Sequence, residues 1–125
     1  MDYKTFTKTA AERAGMPEDT AERVERATLR TLADRISGGE AQDLASQLPD
    51  PLKDSLRPPG EQAESFDVDE FVRRVAERAD VGREEARTGA TAVLTTIREA
   101  VTSGEFEDVV SQLSQDYREL VGPMS

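Results

Sequence analysis

The chain has 125 residues with 26 acids against 16 bases, a formal charge of -10, and that balance repels phosphate backbones, so nucleic-acid binding is not expected. It holds neither cysteine nor histidine, which removes disulfides, thiol nucleophiles, the usual base for a serine nucleophile, zinc and haem ligands of the common kinds and Glu-x-x-His di-iron helices. With a hydrophobic fraction of 36%, an aromatic fraction of 5% and no tryptophan, one modest core is possible, and it must be built from Leu, Val, Ile and Ala.

The surface is rich in arginine, aspartate, glutamate and threonine, with Lys4, Lys8 and Lys53 as the lysines. Such a surface fits salt adaptation or a high-GC genome as well as it fits a binding face. No basic-then-apolar leader and no apolar run of membrane-span length is present, so a cytoplasmic protein without membrane contact is expected.

Asp2 is placed to cap a first helix that carries Phe6, Ala10 and Ala14 on one face, and Gly15 ends it. Pro17, Glu18 and Asp19 open a long second helix with the stripe Ala21, Val24, Thr28, Leu32 and Ile36, widened by Leu29. Ser37-Gly38-Gly39 is expected to stop it through left-handed glycines. A third helix carries Ala41, Leu44, Ala45 and Leu48 and closes at Pro49. Asp50 and Pro51 read as cap and first turn of a short fourth helix bearing Leu52 and Leu56. Residues 58–65 have no periodicity and form the linker.

From Phe66 the pattern returns. Asp67 and Glu70 have capping-box spacing, with Phe66 and Phe71 placed as a hydrophobic staple. The alternative reading of Asp67-Val68-Asp69-Glu70 as a calcium loop fails because no glycine follows at the sixth position. Phe71, Val75 and Ala79, then Ala86, Ala90, Val93, Ile97 and Val101 with Leu94, then Phe106, Val109, Val110 and Leu113 repeat the three earlier stripes. Ser114 is placed to cap a last helix with Tyr117, Leu120 and Val121, ended by Gly122-Pro123.

Every pair is displaced by the same 65 positions: Phe6 and Phe71, Leu29 and Leu94, Gly39-Glu40 and Gly104-Glu105, Ser46-Gln47-Leu48 and Ser111-Gln112-Leu113. The chain is an internal duplication, and neither copy is large enough to bury its stripes alone. The expected fold is all-α: about eight helices in two tandem four-helix repeats, 1–57 and 66–125, in a single compact domain with an approximate two-fold relation. One asymmetry stands out: Gly89 lies inside the second long helix where the first has Val24, either to admit a close helix contact or as a tolerated defect costing about 1 kcal/mol.

Two such halves with the signature Gly39-Glu40-Ala41-Gln42-Asp43-Leu44-Ala45-Ser46-Gln47-Leu48-Pro49 resemble the bacterial and archaeal domain-of-unknown-function family numbered 2267, across essentially the whole chain. The second copy departs with Phe106, Val109 and Ser114 in place of Ala41, Leu44 and Pro49. The resemblance implies an all-helical protein and carries over no catalytic residue.

Among candidate polar residues, Glu40 and Glu105 stand at equivalent sites. Facing each other, they could share a proton or hold a cation; the plainer expectation is that each serves the first turn of its own helix. Gln47 and Gln112 either bond across the halves or, more plainly, cap or solvate their own helix ends. Arg73, Arg74 and Arg78 cluster on one helix, where pairing with local glutamates is expected. No phosphate-binding glycine loop and no base-stacking aromatic stripe is present.

No catalytic set, cofactor or metal is expected, and by elimination the chain reads as a non-enzymatic helical interaction module with a protein partner or a second copy docking at Leu52, Leu56, Leu120 and Val121, for which the plainer expectation is simple closure of the core. The alternative is a small-molecule or cation-binding regulator using the cleft between repeats near Glu40, Gln47, Glu105 and Gln112.

Overall fold

A computed structural model describes residues 1–57 and 63–121; most of the linker and the Gly122-Pro123 stop lie outside them. The described residues form eight α-helices: α1 Tyr3–Ala14, α2 Glu18–Arg35, α3 Gly38–Ser46, α4 Asp50–Lys53, α5 Val68–Ala79, α6 Arg83–Ala100, α7 Ser103–Ser111 and α8 Arg118–Val121. A 3-10 turn, Asp54–Leu56, extends α4, and another, Gln115–Tyr117, precedes α8. The bounds of α5, α6 and α7 are those of α1, α2 and α3 moved by 65 positions.

The packing is reciprocal across the copies: α1 lies against α6 as well as α2, α5 lies against α2 as well as α6, and α2 crosses α6. Phe6 and Phe71, both fully buried, join one continuous core with Leu29, Leu94, Leu32 and Ile97. Side chains follow the same exchange. Arg13 of α1 reaches α6, donating to Thr96 Oγ1 at 3.1 Å and pairing with Glu99 at 2.5 Å. Its counterpart Arg78 of α5 reaches α2, donating to Thr31 Oγ1 at 3.0 Å and pairing with Asp34 at 2.8 Å.

Local rules explain most boundaries. Asp2 accepts from the Thr5 N–H at 2.7 Å, and Gly15 closes α1 in the left-handed region at φ 65. The equivalent residue closing α5 is Asp80, at φ 58. A side chain in that region is strained unless it is glycine, asparagine or aspartate. G15A is therefore expected to lose about 1 kcal/mol, whereas D80G should cost nothing or gain a few tenths of a kcal/mol; thermal unfolding of the two variants checks this, and equal losses would sink it.

Three sequence expectations are corrected. Gly38 and Gly39 do not take left-handed conformations; they are the first residues of α3, because Ile36 turns to extended backbone and Ser37 caps α3 by accepting from the Glu40 N–H at 3.2 Å. Pro49, not Asp50, is the cap of α4, and Asp50 instead pairs with Lys53 at 2.9 Å. Ser114 occupies the cap position before Gln115, but its hydroxyl donates to the Asp116 carboxylate and the segment opens as a 3-10 turn.

The capping box at Asp67 forms by half. Asp67 accepts from the Glu70 N–H at 2.9 Å, while the Glu70 carboxylate is taken by Arg73 and Arg74. The cluster of Arg73, Arg74 and Arg78 is thus neutralised, partly by Glu70 and Glu77 as expected and partly by Asp34 of the other repeat.

Leu52, Leu56, Leu120 and Val121 offer no docking surface: all four are buried, at 1%, 1%, 1% and 5% exposure. The short helices fold back onto the long ones, the turn after α4 onto α2 and α8 onto α6, so these residues close the two ends of the core. Tyr117 anchors the second closure by donating to the Phe66 carbonyl at 2.8 Å and meeting Phe71 edge to face at 5.5 Å.

Candidate functional site at the seam of the repeats

The repeated Gly-Glu helices α3 and α7 pack against each other. Each begins with a hydroxyl cap, Ser37 accepting from the Glu40 N–H and Thr102 from the Glu105 N–H, both at 3.2 Å. The residue that caps the C-terminus of each, Gln47 or Gln112, then meets the start of the other, which makes the two helices antiparallel. Gln112 Oε1 accepts from the Ser37 N–H at 2.7 Å while its Nε2 donates to Ser37 Oγ at 3.2 Å, and Gln47 Oε1 accepts from the Thr102 N–H at 2.8 Å.

The glutamines therefore bridge the repeats instead of capping their own helix ends, and they satisfy N–H groups that a helix start otherwise leaves free. Arg35 adds to the seam by donating to the Gln112 carbonyl at 2.8 Å and to the Phe66 carbonyl at 3.1 Å.

This stitching brings acids together. Glu40, Asp43 and Glu105 each place one carboxylate oxygen within 4.8 Å of the others. Glu105 is 8% exposed, and the Oε2 atoms of Glu40 and Glu105 are buried without a hydrogen-bond partner among the described residues. Burial, then the Glu40 carboxylate beside it, then the charges of Asp43 and Asp108, push the Glu105 carboxyl up to about 8. The first-turn role expected for these glutamates covers neither the orphaned oxygens nor their mutual approach.

Oxygens that share an ion at about 2.4 Å can stand no more than about 4.8 Å apart, so the three acids fit the reach of a calcium-sized ion with waters completing the shell. A purely carboxylate donor set selects hard cations over zinc or copper. Asp43 was the residue that sequence reading passed over as a site member. The signal was present: Asp43 follows Glu40 by three positions, as Asp108 follows Glu105, and that spacing keeps both acids on one helix face.

The fold and the seam define an all-helical, internally duplicated protein whose copies are joined through a glutamine-stitched acidic pair of helices. The chain matches, over residues 3–120, the family described as "Uncharacterized conserved protein (DUF2267)", and it belongs to that family. No curated protein matches the sequence. Among the described residues, no helix is long and apolar enough to cross a membrane.

Proposed function

We propose that this is a cytoplasmic regulatory protein whose seam between repeats binds a hard divalent cation at Glu40, Asp43 and Glu105. The observation that carries the reading is the orphaned, buried Oε2 of Glu105, in a cluster where Glu40 also leaves an Oε2 without a partner and a carboxylate oxygen of each lies within 4.8 Å of the other. Two close carboxylates in a desolvated place repel each other unless a proton or a cation lies between them. The bridges from Gln47 and Gln112 hold the helices so that the acids cannot simply part. A bound cation would neutralise the seam and tighten α3 on α7; its loss would loosen the contact between the copies. The interaction-module reading has less support, since its four expected docking residues are buried and Met1 is the exposed large hydrophobic residue among those described.

Thermal unfolding at neutral pH in calcium, magnesium or manganese, against a sodium chloride control of equal ionic strength, tests this. At ion concentrations about tenfold above Kd, at least one ion is expected to stabilise the protein by roughly 1.4 kcal/mol. E40Q/E105Q should raise the ion-free stability, because the native seam no longer has to hold a proton that the unfolded chain releases at this pH, and abolish the response. An unresponsive wild type, or a double variant that responds equally, would refute the reading.

A further inference from the structure

On a chain of net charge -10, one groove is lined by arginines. Arg23, Arg26 and Arg30 of α2, Arg57 and Asp54 beyond α4, and Arg78 of α5 border a cavity of about 600 Å³. We propose that this groove binds a small, multiply charged oxyanion, a phosphate chain of two or three units.

The fold does not require these charges. Arg23, Arg26 and Arg30 lie on one face of α2 at spacings of three and four. Their counterparts on α6, 65 positions on, are Thr88, Thr91 and Thr95. Two helices of 18 residues each, packed in corresponding places, thus carry arginines in one copy and threonines in the other.

The partners that the arginines have do not silence the groove. Arg26 pairs with Glu22 at 3.3 Å and Arg57 with Asp54 at 3.2 Å, both in exposed, exchangeable pairs. Arg23 spends its Nε on the Ala79 carbonyl at 3.1 Å, which fixes the guanidinium and leaves its two terminal nitrogens. Arg30 makes no ion pair among the described residues, and Arg78 is positioned by Asp34. Planar guanidiniums converging on one concavity match the oxygens of phosphate through paired N–H donors. The volume suits a small molecule, whereas a long polyanion would run out of the groove onto acidic surface.

Calorimetric titration of the full chain with inorganic triphosphate, in chelator to keep the seam out of the measurement, tests the proposal. Saturable binding is expected at about 50 mM salt, weakening at least tenfold by about 200 mM. R23T/R26T/R30T, which copies the threonines of α6, should keep its helical circular dichroism and bind at least tenfold more weakly. R30T alone should weaken binding several-fold and guards against misfolding of the triple variant. ATP bound more tightly than triphosphate would extend the site to a nucleoside, and equal affinity would confine it to phosphate. The proposal is overturned by no saturable binding of either, by unchanged affinity in both variants, or by single-stranded DNA binding more tightly than triphosphate.

Discussion

G89V is expected to destabilise the protein by more than 3 kcal/mol, and G89A by about 1–2 kcal/mol. A Cβ built on Gly89 would lie 2.5 Å from Val24 Cγ1, with Val24 Cβ and Met16 Cε both at 3.4 Å. Val24 is fully buried and β-branched, so it cannot swing aside. The two residues are counterparts in the repeats, and they meet where α2 crosses α6. One copy supplies the knob and the other the space. An ordinary mid-helix Gly→Ala change gains about 1 kcal/mol in propensity; here overpacking outweighs that gain.

V24A deletes the clashing methyls, so V24A/G89A should be more stable than the sum of its single variants by about 1–2 kcal/mol. Denaturant unfolding with unchanged slope measures all four corners of the cycle. If G89A alone raises stability, the close crossing of α2 on α6 is wrong.

The second large effect concerns Glu25, which is fully buried in α2. Its two carboxylate oxygens accept only from Thr7 Oγ1 among the described residues, at 3.2 and 3.1 Å. Burial pushes its carboxyl up to about 7; the Thr7 hydrogen bond opposes this, the Glu22 charge adds to it and Arg26 reduces it. The folded value lies above the ordinary 4.5, so between those two points the native state keeps a proton that the unfolded chain has released.

Stability from this group is therefore fully present below about pH 4.5 and falls as pH rises through about 7, by about 3 kcal/mol in all. E25Q removes the charge and keeps a partner for Thr7. It should match wild type near pH 4.5 and exceed it by about 2–3 kcal/mol at pH 8. The difference between the two proteins isolates Glu25, because Glu105, whose carboxyl is also raised, titrates in both. A constant difference across that range would contradict the buried carboxyl. The other copy shows that the place can be filled without one: Thr7 and Glu25 correspond to Val72 and Ala90.

Much of the helical order was legible because its causes are local. Phe6 with Ala10 and Phe71 with Val75 mark faces by period, Asp2 and Asp67 cap by their own side chains, and Gly15 supplies a left-handed stop. Where local cues misled, a competing partner had intervened. Glu70 left the capping box for Arg73 and Arg74, three and four positions on, while Gln47 and Gln112 crossed to the opposite helix, 55 and 75 positions from the groups they meet. The two glutamates of the seam were visible as equivalents, but their nearness was not, since it depends on how α3 lies along α7. The burial of Glu25 has no mark in the sequence, since an acid on a helix is ordinarily exposed.

The sequence by itself determined the class, the helix bounds to within a few residues and the duplication, because a stripe every three to four positions and a constant shift of 65 are properties of order along the chain. Only the tertiary structure decided what the copies do to each other. It set Val24 into the space at Gly89, turned Leu52, Leu56, Leu120 and Val121 inward, and gathered Glu40, Asp43 and Glu105 at one seam. Those outcomes follow from distances between residues tens of positions apart. Periodicity says which face of a helix is buried, and only packing says against what.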